Sequence, residues 1–187
     1  MELMIVIAII GVLAALAVYG IRTYLASART AEAKANVGAI SGLASGVFER
    51  EFAAAELIAS NSGESQASSN FLCGSANPVP ATVPAGVKYQ PNNAVGADFH
   101  TGSSVGGWLC LGYTMSTPIY YQYSYIRGGA YISAALGGPD PGNEGFEAAA
   151  VGDLDGDGVH STIARTGVIT NRRLRVSTQI FVHEEFE

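Results

Sequence analysis

The chain has 187 residues, of which 48% are hydrophobic and 14% charged, and its formal net charge is −6. This negative balance argues against sequence-independent nucleic-acid binding, which needs a basic surface to neutralise phosphates; it leaves room only for a small local patch around Arg172, Arg173 and Arg175. We therefore predict no specific nucleic-acid partner. With 23 glycines and few charges, most of the surface must be small and neutral, and such surfaces associate easily with copies of themselves.

The first element is an apolar segment at residues 1–21, in which residues 3–21 carry no charge. As a helix, this run would be about 28 Å long, close to the thickness of a bilayer core. A secretory signal peptide is the main alternative, but that class has Lys or Arg before a shorter apolar run. We predict a helix in a membrane or in the core of an assembly.

A helical pattern then continues through residues 22–58, which contain no proline. Apolar residues recur there at roughly helical spacing: Val37, Ile40, Ala44, Val47, Phe48, Phe52, Ala55 and Ile58. The two segments together predict one helix of about 80 Å, with residues 22–58 as its amphipathic half. Because one small domain cannot bury such a helix, its apolar half needs lipid or other protein.

Glu2 is the single charged residue of the first segment. A carboxylate at the edge of a membrane helix is unfavourable, so it either solvates at headgroup level or pairs with a cation of a neighbouring subunit. Residues 2–17, ELMIVIAIIGVLAALA, closely resemble the start of type IV pilins and type II secretion pseudopilins. In that family, Glu2 would neutralise the N-terminal amine of an adjacent subunit, and the helix would loosen near Gly11 during assembly.

The resemblance also implies how the protein is processed and assembled. Members of the family are made as precursors in the bacterial inner membrane. A peptidase cuts them after a glycine upstream of the glutamate, and the new terminus is methylated. Inner-membrane machinery then assembles them into a helical homo-oligomeric filament outside the cell. The leader and its cleavage glycine do not precede Met1, so we expect Met1 to be an internal residue of the mature segment. The proline that family members often carry near the end of the apolar run is replaced here by Tyr19-Gly20.

Gly38, Gly42 and Gly46 are four residues apart, a small-xxx-small pattern that permits close helix approach. They serve either packing between subunits or close packing against the chain's own sheet, and the sequence does not decide between the two.

Residues 59–187 are predicted to form one globular antiparallel β domain, which gives an α+β, pilin-like plan with the long helix packed on the sheet. Residues 61–107 are rich in Ser, Asn, Gly and Pro and predict a long loop with little regular structure. The predicted strands are residues 108–115, 119–126, 131–136, 146–151, 159–165 and 175–182. Six of the nine tyrosines lie between residues 113 and 131, and the leading interpretation is that they are core residues.

Two cysteines, Cys73 and Cys110, are present. In an exported protein an isolated pair indicates one disulfide, whereas the alternative is two free core thiols.

The sequence GDLDGDG at residues 152–158 carries the strongest metal-binding signal. Asp153, Asp155 and Asp157 match the first ligand positions of a calcium loop, with the backbone carbonyl of Val159 as a further oxygen. Ala164 occupies the place of the bidentate glutamate, so the turn is not an EF-hand. A weaker Ca²⁺ site and a plain Asp-Gly hairpin turn both remain open.

No catalytic motif is recognisable, because His100, His160 and His183 are scattered and show no metal-ligand spacing. We therefore expect no enzyme activity. The predicted function is a structural subunit of a type IV pilus, or fimbrium, for cell adhesion, motility or DNA uptake. A type II secretion pseudopilin and a membrane-anchored binding module that never polymerises are the alternatives.

Overall fold

The computed structural model describes residues 2–50, 52–53 and 68–187, with side chains described for residues 3–50 and 70–187. Its first element, α1 (Glu2–Glu49), is one helix of 48 residues, which is about 72 Å long. An open antiparallel sheet follows. The predicted α+β layout, a long N-terminal helix followed by antiparallel strands, is therefore confirmed.

α1 ends before the predicted end of its amphipathic half, which was expected to cover residues 22–58. It ends at Glu49, and Phe52–Ala53 form a short strand instead of a further helical turn. The predicted residues 54–58 lie outside the described part of the chain. Within α1, one stripe is buried at the predicted helical spacing: Ala33, Val37, Ile40, Ala44, Val47 and Phe48.

The strands pair antiparallel throughout. Their bounds are β1 (Phe52–Ala53), β2 (Ser68–Ser69), β3 (Ala76–Val79), β4 (Tyr121–Arg127), β5 (Gly145–Gly152), β6 (Ser161–Thr170), β7 (Arg173–Val176) and β8 (Phe181–His183). β1 pairs only with β2, and the main sheet has the order β3-β4-β5-β6-β7. β8 also pairs with β6, beside its first half, whereas β7 lies beside the second half.

One face of the sheet packs against α1 and holds most of the aromatic core. Tyr121, Tyr123 and Tyr125 alternate along β4 and are buried, which agrees with their interpretation as core residues. Two aromatic rings cover glycines on the neighbouring strand, where a side chain would clash with them: Tyr121 lies over Gly152 and Phe146 over Gly167. The small residues of β5 and β6 thus make room for large rings.

Two segments predicted as strands are helical. The first half of residues 108–115 lies in α2 (Gly107–Leu111), which is followed by Gly112 in the left-handed conformation. Residues 131–136 contain α3 (Ile132–Ala135). The loop prediction for residues 61–107 holds where the chain is described, because only β2, β3 and a 3₁₀ turn (Asp98–His100) interrupt it.

β6 runs in the same direction as α1, and three contacts fix this. The Thr30 hydroxyl donates to the backbone oxygen of Glu185 at 3.0 Å. Glu185 follows β8, whose last residue lies beside the start of β6. Arg165, in the middle of β6, donates to the Ser41 hydroxyl at 3.4 Å. Near the far end of β6, Phe48 and Ile169 line one cavity. The two ends of the sheet are therefore separated along the helix axis.

Candidate functional site

No other described part of the chain covers the N-terminal half of α1. Its large apolar side chains are between 46% exposed, at Leu25, and 76% exposed, at Met4, so no side of this half is buried. The helix is long and apolar enough to cross a membrane, although the signal sequence of a secreted protein would pass the same test. It is continuous with the half that packs on the sheet, so the exposed apolar surface and the core belong to one rigid element.

The residues predicted for assembly lie on this exposed half. Glu2 begins the helix, and its side chain is outside the described part of the structure. Gly11 lies mid-helix, and a methyl group added there would meet no atom within 4 Å. The backbone is helical through Gly11, so the loosening that the family resemblance implies at this point stays a prediction for the assembled state.

The glycine stripe of α1 does not contact the chain's own sheet. A methyl group added at Gly38, Gly42 or Gly46 would meet no atom within 4 Å beyond the helix's own turns. Among the described residues, nothing packs closely on the Cβ positions of this stripe. Packing against another helix stays a prediction, since the stripe is free to receive one.

Cys73 and Cys110 are joined in a disulfide, as predicted, and their Cα atoms are 5.9 Å apart. The bond ties the loop before β3 to α2. Beside it, Trp108 stacks edge-on against Phe99 at a centroid distance of 5.0 Å and donates its indole N–H to the Asn77 carbonyl at 2.9 Å. The long loop is therefore anchored to the core by a covalent bond and an aromatic cluster.

The acidic turn joins β5 to β6, and the structure brings its three aspartates together. Carboxylate oxygens of Asp153, Asp155 and Asp157 all lie within 4.8 Å of one another. Asp153 is buried, and its carboxylate accepts backbone N–H groups from Gly156 at 2.7 Å and Gly158 at 3.2 Å. The turn is thus ordered by carboxylate–backbone hydrogen bonds, as expected of an Asp-Gly turn.

The donor set fits a hard cation only in part. Three clustered carboxylates suit Ca²⁺, but Ca²⁺ takes six to eight oxygens, so carbonyl groups or water would have to complete the shell. Val159 donates its N–H to Asp157 at 2.7 Å, and the predicted ligand role of its carbonyl oxygen is not tested by this geometry. Ca²⁺ binding therefore stays a prediction for this turn.

Asp98 and Ser161, two polar residues close in sequence to His100 and His160, have separate structural partners. Asp98 accepts hydrogen bonds from the Tyr89 hydroxyl at 2.7 Å and the Asn92 N–H at 2.6 Å. Ser161 donates instead to the Tyr121 hydroxyl at 3.4 Å. The hydrogen bond from Tyr89 to Asp98 is also the largest cause of a raised pKa at Tyr89. These contacts hold loops and strands in place.

One buried carboxylate was missed in the sequence. Glu147 lies in β5, fully buried, and accepts hydrogen bonds from the N–H groups of Ile132 at 2.7 Å and Ser133 at 3.0 Å, and from the Ser133 hydroxyl. It thereby satisfies the free N–H groups at the start of α3. A lone acid in the otherwise apolar run GFEAAAVG was the signal that pointed to such a partner.

No protein-family model, curated protein or solved structure matches the chain.

Proposed function

We propose that this chain is a structural subunit of a type IV pilus-like filament, held in a membrane by α1 before assembly and joined to its copies through the same helix. The observation that carries the proposal is the contrast along α1, whose C-terminal half is buried on the sheet while its N-terminal half exposes apolar side chains on every side. The resemblance of residues 2–17 to pilins and pseudopilins favours a filament as the kind of assembly.

The magnitude of this exposure argues against water as the partner of the helix. Burying one Leu or Ile side chain contributes about 1.5–3 kcal/mol, and a whole domain is stable by only about 5–15 kcal/mol. An exposed run from Leu3 to Leu25 therefore represents more apolar free energy than the fold has in reserve. Lipid satisfies the run in a precursor, and parallel copies of the same helix satisfy it in a filament.

Assembly replaces lipid contact by contact with other helices, so it does not by itself supply a large hydrophobic driving force. Extraction from the membrane then requires separate, energy-consuming machinery. In this proposal, Glu2 pairs with the N-terminal amine of a neighbouring subunit, and small residues such as Gly42 let helices approach closely. Adhesion, motility or DNA uptake are the activities that such a filament would serve.

A type II secretion pseudopilin is the second candidate. The acidic turn favours it, because Asp153, Asp155 and Asp157 form a compact carboxylate cluster next to the sheet, and calcium-stiffened turns suit a short periplasmic filament. A membrane-anchored module that does not polymerise is the third, and Glu2 at the start of an otherwise uncharged helix argues against it.

The test is to shear cells that produce the full chain, image the released material by electron microscopy, and sequence the subunit's N-terminal peptide by mass spectrometry. Long filaments of this chain with a methylated terminus upstream of Glu2 are expected. Glu2→Ala should abolish them, while Glu32→Ala, a matched control on the same helix, should not. Recovery of the chain only from membranes, without filaments, would contradict the surface pilus and favour the other two candidates.

A further inference from the structure

The two ends of the sheet carry opposite charge. The acidic end consists of the carboxylates of the β5–β6 turn and of the segment after β8: Asp153, Asp155, Asp157, Glu184 and Glu187. The basic end lies at the β6–β7 turn and consists of Arg172, Arg173 and Arg175, all exposed. Topology places them apart, because β6 begins at the acidic end and finishes at the basic one.

The acidic carboxylates are close enough to act on one another. Desolvation, followed by repulsion from Asp155 and Asp157, raises the pKa of Glu187. The nearby cations contact other groups, one of which is Glu185, between Glu184 and Glu187 in sequence. Lys34 pairs with Glu185 at 2.5 Å, and Arg29 lies over the Tyr120 ring at 4.0 Å. Lys88 lies over the same ring at 5.0 Å from its centroid. In the described chain, no residue of the acidic end forms an ion pair.

The basic end is equally unsatisfied. Arg172, Arg173 and Arg175 form no ion pair with any described residue. Arg172 occupies a tight turn with φ of 61°, and Arg127 and Glu144 line the adjoining cavity with it. Among the described residues that line this cavity, Glu144 is the one acid beside two arginines, so the lining carries a surplus of positive charge. Guanidinium groups favour carboxylate partners, which they bind through two parallel hydrogen bonds.

These ends cannot neutralise each other within one molecule. The ten residues of β6 separate them by about 30 Å, whereas salt screens exposed charges beyond about 8 Å at physiological ionic strength. The contacts of β6 with Thr30, Ser41 and the surroundings of Phe48 show that the separation runs along α1. The acidic end therefore faces the exposed half of the helix, and the basic end faces away from it.

We propose that the basic end of one copy docks on the acidic end of the next copy along the helix axis. The inference rests on the proposed filament, in which copies of α1 lie parallel and displaced along one axis. Such an arrangement brings the basic end of each domain toward the acidic end of its neighbour, as a head-to-tail contact that repeats without closing. Exposed charge pairs of this kind fix the register and speed association more than they add affinity.

Cross-linking tests the contact directly. Filaments of the full-length R172K/R173K variant, which keeps the charge and adds amines, are sheared from cells. Carbodiimide then joins amines to carboxylates in contact, in buffer with a chelator. The expected product is a peptide pair that links residue 172 or 173 to residue 155, 157, 184 or 187. Because β6 separates the two ends of one molecule by about 30 Å, such a zero-length link joins two copies. Filaments that yield no such pair would overturn the inference.

Charge reversal provides the second measurement. R172E/R173E/R175E should lower the yield of sheared filaments about tenfold, since several exposed pairs become repulsive. D155K/E184K should do the same, and the combination of both sets should restore the yield. R172K/R173K is the matched control and should assemble normally.

The outcomes separate this inference from the proposed function. Normal filament yield in both reversed variants would overturn the docking of opposite ends while the pilus-like function stands. Absence of filaments from the unaltered chain would overturn both. If a reversed variant fails to fold, as judged by its melting temperature, the cross-link in the charge-conserving variant still decides the question.

Discussion

The side-chain amide of Asn36 on α1 donates a hydrogen bond to the hydroxyl of Tyr123 on β4, with a nitrogen–oxygen distance of 2.9 Å. Two residues further along the same strand, the Tyr125 hydroxyl is buried with no hydrogen-bond partner among the described residues. The two tyrosines share one face of the sheet, and one hydroxyl has a partner where the other has none among the described residues, so they form a comparison pair.

We expect Tyr125→Phe to stabilise the domain by about 1 kcal/mol, because it removes a buried hydroxyl that no described residue satisfies. Tyr123→Phe should instead destabilise it by about 1 kcal/mol or more, because the Asn36 amide loses its acceptor. Denaturant unfolding of the full chain in detergent measures both changes. Equal effects of the two substitutions would contradict the difference in hydrogen bonding.

The buried tyrosines also predict sensitivity to alkali. Burial raises the pKa of Tyr113, Tyr123 and Tyr125 above the ordinary value near 10. Once the pH exceeds about 10, unfolded tyrosines release protons that the folded ones keep. The folded state then binds more protons, so stability is complete below pH 10 and falls as the pH rises, by up to about 1.4 kcal/mol per pH unit for each tyrosine.

The measurement is the melting temperature as a function of pH, with phenolate absorbance as the second signal. Ionisation and unfolding should coincide above pH of about 10. Tyr125→Phe should flatten the slope, and Tyr24→Phe, at an exposed position of α1, should leave it unchanged. Tyrosine ionisation well before unfolding would show that these hydroxyls are accessible to water.

Gly42 offers a substitution that separates stability from assembly. Its Cβ position is open, and it lies within regular helix, so Gly42→Ala should stabilise α1 by about 0.5–1 kcal/mol. If helices approach one another at this stripe in the filament, the same change should reduce filament yield. Ala35→Gly, at an exposed helix position, is the reverse control and should lower stability without affecting assembly. Unchanged filaments from Gly42→Ala would remove the stripe from the assembly surface.

The disulfide should contribute strongly to the stability of the globular domain. Its cysteines are 37 residues apart, and closing a loop of that length removes unfolded-state entropy worth about 4 kcal/mol in the chain-entropy model. Replacing Cys73 and Cys110 together by alanine should therefore lower the free energy of unfolding by about that amount. Treatment of the unaltered chain with reductant should give the same loss, and no further loss should occur in the double variant.

Added Ca²⁺ should raise the melting temperature if the acidic turn binds it, because binding to the folded state alone stabilises that state by mass action. Asp155→Ala should remove the rise, since it takes away one of three clustered carboxylates. Asp140→Ala, at an exposed aspartate outside the cluster, is the matched control. No rise at millimolar Ca²⁺ would leave the turn as a hairpin held by its own hydrogen bonds.

The long helix, the tyrosine-rich strand β4 and its neighbour β5 were predictable because their sequence signals are local, whereas β3, the other neighbour of β4, lies within the predicted loop. α2 was not predictable, since the aromatic content of residues 108–115 favours a strand. Gly107 and Gly112, both at positive φ, bracket that helix and were the overlooked signal. The disulfide at Cys110 and the contact of Trp108 with Phe99 then hold it against its propensity.

The prediction of a strand at residues 131–136, which contain α3, was wrong for a different reason. The N–H groups at the start of α3 are satisfied by Glu147, which belongs to β5. Because this cap comes from outside the segment, the sequence of residues 131–136 does not indicate the start of a helix. The charged ends of the sheet are similar, because Arg172 and Asp155 lie close in sequence but at opposite ends of one strand. The distance between these two residues follows from the strand that separates them and is not evident from their positions in the sequence.

The continuity of α1 has a geometric consequence for the domain it carries. With no joint between the exposed and the buried halves, the direction in which the domain faces is set by the rotational phase of the helix. One residue inserted between residues 21 and 29 would turn the domain by about 100° about the axis relative to the apolar half, and would move it by only about 1.5 Å along the axis. The number of residues in that stretch of helix thus determines which side of the domain points outward.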